Sequence, residues 1–334
     1  MKTKLLIPLS LLLAFLLTGC GSKAETQFFA MDTSMALTLT APQANRVLSA
    51  SEAEILRLEA LFSRTDEASA VSALNRGETV ESEELTALLH RSAEYAAATS
   101  GAFDITVAPV VSAWGFTEDV CRVPSAQELA DLLPHTGSEY LDLSSSAVAL
   151  PEGFSIDLGG IAKGYASDRI AALWDEMNVE SGCAALGGNV YVRGYKEDGS
   201  LWRIAVRDPL NTAGAIGVLS LNDAFAVTSG GYERCFTENG VTYHHIIDPA
   251  TGYPANSGLL SVTVVSHESG TLCDAYSTAL FVLGEEQALQ LWREAGGAFE
   301  LILVTEDGRV LITEPLADAF EQTEGSAYRY ETVR

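Results

Sequence analysis

The sequence is short of basic residues. It has 20 Lys and Arg against 45 Asp and Glu, which gives a net charge of -25 at pH 7. Such an acidic chain repels nucleic acid and anionic lipid head groups, so the composition excludes nucleic acid as a partner and a basic patch as a membrane attachment. A polyanionic ligand would therefore need a metal ion and a few local lysine or arginine side chains.

Cysteine is also scarce, and several common motifs are missing. Apart from Cys20, the cysteines lie at positions 121, 183, 235 and 273, with no close pair. This spacing excludes a Cys-x-x-Cys zinc site and a dense disulfide framework, while one or two disulfides remain open outside the cytoplasm. The chain has neither a Walker P-loop nor the Gly-x-Gly-x-x-Gly spacing of dinucleotide-binding Rossmann units.

The N-terminus carries a long apolar run. Lys2 and Lys4 precede it, it extends from Leu5 to Leu17, and Thr18-Gly19-Cys20 follows. A short apolar segment that ends in small residues before a cysteine predicts a lipoprotein signal peptide over residues 1–19. Cys20 then becomes the lipidated first residue, which predicts a protein outside the cytoplasm, anchored to the cytoplasmic membrane. The alternatives, an uncleaved anchor or a plain secretory signal, also place the body outside the cytoplasm.

The remaining residues, about 315, suffice for one large domain or two joined ones. Residues 20–27 are polar and predict a tether, and no later linker or repeat divides residues 28–334, which we interpret as a single domain. Apolar periodicity predicts helices over 44–62 and 83–99, and two more over 272–283 and 285–294. Short strands are predicted over much of the rest: at 28–40, with a break at Met31-Asp32-Thr33, and at 154–158, 183–186, 189–192, 202–206, 216–221, 224–227, 243–247 and 259–266, with a hairpin over 299–312. Residues 107–116 predict a turn-rich segment, and the whole pattern predicts a mixed α+β fold in layers.

The stretch from Ser155 to Ile170 organises the chain. Its predicted strand ends at Asp157, Gly159-Gly160 allows a sharp turn, and Lys163 falls in the first turn of the following helix. Free amides at a helix start together with a lysine form an anion site, which indicates a ligand that carries phosphate. The alternative is an ordinary strand-to-helix connection with a surface lysine.

Two further patterns carry chemistry, each with a plain alternative. Asp274 and Thr278 are four residues apart on a predicted helix, so two hard oxygen donors that suit magnesium share one face. The alternative is an aspartate favoured by the helix dipole, followed by a buried threonine. His244 and His245 are adjacent on a predicted strand, so only one of them can face a given site. That histidine contacts a phosphate or a reacting hydroxyl, or it is bonded to the neighbouring turn.

In their order along the chain, these pieces resemble the ApbE family of flavin-trafficking lipoproteins, the FAD:protein FMN transferases. The resemblance covers almost the whole mature chain behind the predicted lipid-attachment site. The matching pieces are Phe29-Ala30-Met31-Asp32-Thr33, Phe62-Ser63 through Leu74-Asn75, Gly101-Ala102-Phe103-Asp104, Ile156 to Tyr165, Thr228-Ser229-Gly230, His245 to Pro249 with Thr251-Gly252, and Asp274-Ala275 with Ser277-Thr278-Ala279. One departure is Asp32, where the family usually has glycine after Met31.

The resemblance implies a T-fold-like α+β architecture with a mostly antiparallel sheet and flanking helices. It implies a Mg²⁺ site made by the side chains of Asp274 and Thr278 and the backbone carbonyl of Gly160. It also implies a set of contacts to FAD, namely Met31, Ala102, Phe103, Asp104, Asp157, Lys163 and Ile246. His245 is interpreted as a proton acceptor or phosphate contact.

The activity that the resemblance implies is transfer of FMN from FAD to a Thr or Ser hydroxyl of a partner flavoprotein. A phosphoester-linked flavin forms and AMP leaves, in a transfer that depends on positioning and on charge stabilisation by magnesium. Two alternatives stay open at this point. One is a magnesium-dependent FAD pyrophosphatase that uses water, and the other is a flavin-binding lipoprotein without catalysis.

Overall fold

The computed structural model describes residues 21–116 and 120–334. The predicted signal peptide and Cys20 lie outside these described residues. The helices are α1 (Ala44–Phe62), α2 (Ala70–Asn75), α3 (Glu83–Ala98), α4 (Ala108–Trp114), α5 (Ala126–Leu132), α6 (Ala162–Glu176) and α7 (Gly270–Glu294). The strands up to the middle of the chain are β1 (Ser22–Ala30), β2 (Thr33–Ala41), β3 (Val80–Glu81), β4 (Ala147–Val148), β5 (Ser181–Leu186), β6 (Asn189–Arg193), β7 (Trp202–Arg207) and β8 (Ala215–Leu221). The later strands are β9 (Ala224–Gly230), β10 (Cys235–Glu238), β11 (Val241–His244), β12 (Leu259–Ser266), β13 (Glu300–Thr305), β14 (Arg309–Thr313), β15 (Phe320–Gln322) and β16 (Arg329–Val333). Short 3₁₀ helices cover Ile105–Val107, Leu133–His135, Ser138–Tyr140 and Glu314–Leu316.

A large sheet forms the middle layer of the molecule. Within the described residues it has nine strands in the order β1-β2-β5-β6-β9-β12-β13-β14-β16. All neighbouring strands are antiparallel except β14 and β16. The predicted mixed α+β fold with a mostly antiparallel sheet is therefore confirmed.

The two faces of this sheet bury different partners. Side chains alternate along a strand, so Phe225 and Val227 of β9 point to the face that carries α1, α6 and α7. Tyr191, paired with Phe225 in the register, lies on the same face, and the two rings stack at 4.7 Å. Ala224 and Ala226 point to the other face, where the small sheet β15-β8-β7 covers them. The central helices are thus held against β6, β9 and β12, where the candidate site lies.

Two glycines let α6 and α7 cross at close distance. A methyl group on Gly164 would lie 2.3 Å from the carbonyl oxygen of Gly270 and 2.6 Å from Cβ of Asp274. A methyl group on Gly270 would lie 2.8 Å from the carbonyl oxygen of Gly164. These separations are shorter than any van der Waals contact, so only glycine permits the crossing. As a result Asp274 lies against the first turn of α6.

The start of α7 is held by an aspartate of α6. The carboxylate of Asp168 accepts hydrogen bonds from the backbone N–H groups of Gly270 and Thr271 and from the hydroxyls of Ser269 and Thr271. It therefore satisfies amides that the helix start leaves free, and its charge is favourable at the positive end of the helix dipole.

Replacing Asp168 with Ala is expected to lower the free energy of unfolding by about 2 to 3 kcal/mol, because several charge-assisted hydrogen bonds are lost together. Asp175→Ala is the matched control, since this carboxylate of the same helix is exposed and pairs with Arg193 at the surface. That control is expected to cost less than about 1 kcal/mol. Denaturant unfolding measures both variants, and an equal loss of stability would contradict the capping role of Asp168.

Most of the predicted elements are confirmed, and the exceptions have local causes. The polar tether predicted for residues 20–27 is wrong from Ser22 onward, because β1 pairs along its whole length with β2. Its polar side chains lie on an edge strand where burial is partial, so the usual apolar alternation is weak. The turn-rich segment predicted at 107–116 is mainly α4, which begins with a proline near its first position, as helices allow.

The strand predicted over 154–158 is not a strand, although its backbone is fixed. The side chain of Asn75 accepts from the N–H of Ile156 at 2.8 Å and donates to its carbonyl oxygen at 2.9 Å. The N–H of Asp157 donates to the carbonyl of Ile105. An amide side chain therefore takes the place of a neighbouring strand. The helices predicted at 272–283 and 285–294 are the two parts of α7, interrupted at Gly284, where φ is 81°.

Two further features of the structure concern membrane-spanning helices and disulfides. In the part of the chain that the structure describes, no helix combines the length and apolar character that crossing a membrane requires. The cysteines of the described ranges are free thiols, at positions 121, 183, 235 and 273. Burial raises the pKa of Cys183 to about 11, so this thiol is unreactive at neutral pH.

Candidate active site

The site is built around the buried carboxylate of Asp274 on α7. Its side chain is 3% exposed. Oδ2 accepts a hydrogen bond of 2.8 Å from the backbone N–H of Gly164, and Oδ1 accepts one of 3.3 Å from Nδ2 of Asn189. The crossing of α6 and α7 and the start of β6 thus converge on one carboxylate.

This carboxylate has no cationic partner within the described ranges 21–116 and 120–334. No Lys, Arg or His nitrogen there lies within 4.0 Å of the oxygens of Asp274. A buried carboxylate held only by neutral donors is costly unless a cation compensates its charge. The residues present therefore fit a bound metal ion at this position.

Thr278 and Gly160 lie close to each other, near Asp274. The hydroxyl of Thr278 is one helical turn after Asp274, and Cα of Gly160 lies so close that an added methyl group would be 3.5 Å from it. The same methyl group would be 3.3 Å from the ring of Phe103. The structure therefore brings the predicted metal ligands Gly160, Asp274 and Thr278 together, and it places Phe103 against them.

One carboxylate among neutral oxygens is the donor set that magnesium accepts, because this ion keeps several waters and takes ligand phosphates at its remaining positions. The described residues contain no cluster of three or more His, Cys, Asp and Glu side chains arranged for a metal. That finding disfavours a site of the zinc type, in which the protein supplies nearly all ligands.

The glycine turn before α6 presents basic groups close to this donor set. Nζ of Lys163 donates to the carbonyl oxygen of Gly159 at 2.8 Å, and no carboxylate of the described residues pairs with this ammonium group. Arg64 donates to Asp157 Oδ2 at 3.0 Å, and the other oxygen of Asp157 accepts from the N–H of Gly159. The turn is thus fixed by Asp157, and the ammonium group of Lys163 lies beside it.

The two adjacent histidines have different surroundings. His244 donates from Nε2 to the carbonyl oxygen of Ala255 at 3.0 Å, and its ring packs edge-on against Phe281. His244 is therefore the histidine that is hydrogen-bonded to the neighbouring turn, which was the plain alternative offered by the sequence. His245 follows the end of β11 and is half-buried, with Nδ1 3.3 Å from the carbonyl oxygen of Arg234.

His245 is uncharged at neutral pH. Its pKa is lowered to about 4, mainly because burial disfavours the charged ring, and the positive charges of Arg234 and Lys163 act in the same direction. The neutral ring has a free lone pair that can accept a proton, and its lowered pKa makes it a weak base.

Met31 lies in a strained turn between β1 and β2. Met31 and Asp32 form the tip of the β1–β2 hairpin and have φ values of 48° and 57°. A two-residue hairpin of this kind needs positive φ at both positions, which Asp tolerates and Met does not favour. Glu59 compensates by accepting a hydrogen bond from the N–H of Met31, and Arg234 lies 3.7 Å from Asp32.

The remaining predicted FAD contacts have mainly structural partners. The carboxylate of Asp104 accepts hydrogen bonds from the N–H and hydroxyl of Thr106 and from the N–H and hydroxyl of Ser138, so it fixes the loop after Phe103. Ala102 and Ile246 are both buried. Direct contact of these residues with a ligand stays a prediction.

Sequence reasoning missed the roles of three residues in this region. Arg64 lies just after the helix predicted over 44–62, and it binds Asp157. Ser229 Oγ lies 2.8 Å from Ser277 Oγ and 3.4 Å from Thr278 Oγ1, and Asn189 binds Asp274. The adjacent Gly187-Gly188 turn was the available signal for Asn189, because it ends one strand and starts the next at this residue.

A surface cavity of about 270 Å³ lies apart from this region. Its lining includes Lys23, Lys196 and Trp202, together with Glu197 and Asp198. It shares no residue with the cluster around Asp274, and its charges of opposite sign balance. We therefore place the candidate chemistry at Asp274.

Comparison with known proteins gives a consistent result. A model of the ApbE family matches residues 31–303. A protein from Haemophilus influenzae named FAD:protein FMN transferase is 36% identical over 222 residues, which cover 64% of this chain and 64% of that protein. The aligned segment thus spans just under two thirds of the Haemophilus relative. A protein of the same name from Treponema pallidum is 34% identical over 281 residues, with 78% of this chain and 77% of that protein covered.

Solved structures agree with the sequence relatives. The crystal structure of the ApbE protein from Thermotoga maritima superposes with a TM-score of 0.80 at 36% sequence identity. The superposition covers 91% of this chain and 97% of the Thermotoga chain. The layered fold described above is therefore the fold of that protein.

Proposed function

The chain belongs to the ApbE family, and from this membership we propose that it transfers FMN from FAD to a Thr or Ser hydroxyl of a partner flavoprotein. The observation that carries the proposal is the buried Asp274 carboxylate, which lacks a cationic partner in the described residues and lies against the glycine turn before α6. This is the position at which a metal-bound pyrophosphate would face Lys163. The name shared by the Haemophilus and Treponema relatives, FAD:protein FMN transferase, supports the choice of FAD as substrate.

We propose that Mg²⁺ is held by Asp274, Thr278 and the carbonyl oxygen of Gly160. Bound there, the ion would neutralise charge on the pyrophosphate oxygens. The ammonium group of Lys163 binds the same anionic group and orients it. The ring of Phe103 lies close to Gly160 on one side of this group of residues.

We assign to His245 the role of accepting the proton of the acceptor hydroxyl. The acceptor hydroxyl oxygen forms a bond to the phosphorus on the FMN side, the bond between that phosphorus and the bridging oxygen breaks, and AMP leaves with the bridging oxygen. The hydroxyl proton goes to the neutral ring of His245. Because the ring is uncharged at neutral pH, it needs no prior deprotonation to act as the base.

The function is tested by incubating the purified protein with FAD, Mg²⁺ and a flavoprotein subunit that carries a Thr flavin-attachment site. The proposal expects a fluorescent acceptor band in a denaturing gel and one AMP released per flavin attached. Release of FMN and AMP without labelling, at a rate independent of acceptor, would identify a pyrophosphatase. FAD binding without AMP release under any of these conditions would indicate a carrier.

The pH dependence of the reaction tests His245. Because this side chain must be neutral, kcat/KM is expected to fall as pH falls through about 4, and not through the ordinary histidine pKa of 6.5. His245→Gln should lower the rate by about 100-fold or more and abolish the fall of kcat/KM at low pH. His90→Gln, at an exposed position of α3, is the control. A limb near 6.5 that disappears in His245→Gln would contradict the lowered pKa.

We also propose that a lipid on Cys20 anchors the protein to the outer face of the cytoplasmic membrane. The strongly acidic chain offers no electrostatic attachment to anionic lipid, so the anchor must come from the modified cysteine. Cys20→Ala is expected to move the protein from the membrane fraction to the soluble fraction. Unchanged fractionation of this variant would contradict the assignment.

A further inference from the structure

Asn189 is buried at a place that the β5–β6 hairpin dictates. Gly187, with φ of 69°, and Gly188 form the two-residue turn, and Asn189 is the first residue of β6. The register pairs Asn189 with Val227 of β9, so its side chain lies on the face that carries α6 and α7. It is 1% exposed.

Only half of the Asn189 amide is satisfied by protein. Nδ2 donates to Asp274 Oδ1 at 3.3 Å. A carboxylate can only accept, so the amide nitrogen must face Asp274 and the amide oxygen must point elsewhere. That oxygen is buried and has no hydrogen-bond partner among the described residues. An unsatisfied buried oxygen costs about 1 to 3 kcal/mol, which a native protein rarely tolerates without a ligand or a bound water.

We propose that Asn189 is a positioning residue of the cation site. Its amide N–H holds Asp274 Oδ1, and its amide oxygen accepts a hydrogen bond from a water ligand of the cation. The inference rests on the proposed function, because it assumes the cation at Asp274. It follows from the chemistry of the group, since magnesium keeps several waters and each needs an acceptor.

In this assignment Asn189 orients the Asp274 carboxylate, which none of the predicted ligands Gly160, Asp274 and Thr278 does. Asp274 Oδ2 is held by the N–H of Gly164, and without Asn189 nothing else in the described residues donates to Oδ1. The carboxylate would then be held by one hydrogen bond instead of two. Asn189 therefore sets the direction in which Asp274 presents its charge.

Cation binding measured by calorimetry, with Mg²⁺ or Mn²⁺ alone and no FAD, tests the proposal without reference to turnover. In Asn189→Ala the Kd is expected to rise about 10- to 100-fold, the usual effect of removing an outer partner of a metal ligand. The matched control is Thr263→Val, which removes a buried hydroxyl that bonds Thr228 on the opposite face of the sheet. Its Kd should equal that of the wild type.

Asn189→Asp gives a second readout if the alanine variant folds poorly. It keeps the shape but places a second carboxylate against Asp274, so the metal-free protein should melt lower than the wild type. Added Mg²⁺ should then raise its Tm by more than it raises that of the wild type, because the cation relieves the repulsion. A purely structural amide predicts the same loss of Tm with and without Mg²⁺.

The outcomes separate this inference from the proposed function. If the wild type binds Mg²⁺ and Asn189→Ala binds it equally well, or if Mg²⁺ fails to rescue Asn189→Asp, the role of Asn189 is overturned while the function stands. If the wild type binds neither Mg²⁺ nor Mn²⁺, the cation site itself is wrong, and both proposals lose their basis. A raised Kd in Asn189→Ala together with an unchanged Kd in Thr263→Val supports the inference.

Discussion

Asp274→Asn is expected to lower AMP release from FAD by at least about 100-fold at a fixed Mg²⁺ concentration, while the protein stays folded. The substitution keeps the shape of the side chain and an oxygen that can accept from Gly164, but it removes the charge that would hold the cation. Its new amide nitrogen would face the Asn189 amide, which can turn its unpaired oxygen toward it. Turnover measured across a Mg²⁺ titration checks the result.

Thermal melting of the same variant separates the metal role from a structural one. In the wild type without metal, Asp274 is a buried carboxylate with no cationic partner in the described residues, so replacing it with a neutral amide should leave the metal-free Tm unchanged or higher. The rise in Tm that Mg²⁺ produces in the wild type should be lost. Wild-type activity of a folded Asp274→Asn protein at low Mg²⁺ would show that this carboxylate does not bind the cation.

Thr278→Val should act in the same direction but more weakly. Magnesium readily replaces a neutral hydroxyl ligand with water, whereas it cannot replace the charge of a carboxylate. The difference between the two variants therefore measures how much of the cation affinity depends on charge and how much on the number of protein ligands.

Gly164→Ala is expected to destabilise the protein by about 1 to 3 kcal/mol or more and to abolish most of the activity. The added methyl group would lie 2.3 Å from the Gly270 carbonyl oxygen and 2.6 Å from Cβ of Asp274, so α6 and α7 must move apart. That movement also breaks the hydrogen bond from the Gly164 N–H to Asp274. Urea unfolding and steady-state AMP release measure the two losses.

Gly199→Ala controls for the general cost of replacing glycine. This residue lies in a surface turn with φ of 77°, and a methyl group there would meet no atom within 4 Å. We expect a loss of about 1 kcal/mol from backbone strain and no change in turnover. Wild-type turnover in Gly164→Ala would contradict the conclusion that the close helix crossing sets the position of Asp274.

The elements that the sequence determined are those with strong local signals. The apolar period predicts α1 from Ala44 to Phe62 with its bounds, and the turn at Asp307-Gly308 predicts the β13–β14 hairpin. The Gly159-Gly160 turn before a helix with Lys163 in its first turn is also present as predicted. Such features depend on residues close in sequence, so periodicity and turn chemistry suffice to find them.

The sequence also identified a candidate site before any geometry was known, because Asp274 and Thr278 share a helix face whatever surrounds that helix. The resemblance to the ApbE family supplied Gly160, Met31 and the remaining contacts. It could not show that the Asp104 carboxylate accepts hydrogen bonds from Thr106 and Ser138, because the Ser138 bond forms only when two loops meet in the fold.

Only the tertiary structure decided what surrounds Asp274. Asn189 is 85 positions away along the chain and Gly164 is 110 positions away, and both reach Asp274 only because β6 lies in the central sheet and α6 crosses α7 at two glycines. Arg64 reaches Asp157 across 93 positions in the same way. Contacts over such separations leave no local pattern, because they depend on sheet order and helix packing. Composition and periodicity therefore predict the parts of this site, and the fold decides how they are joined.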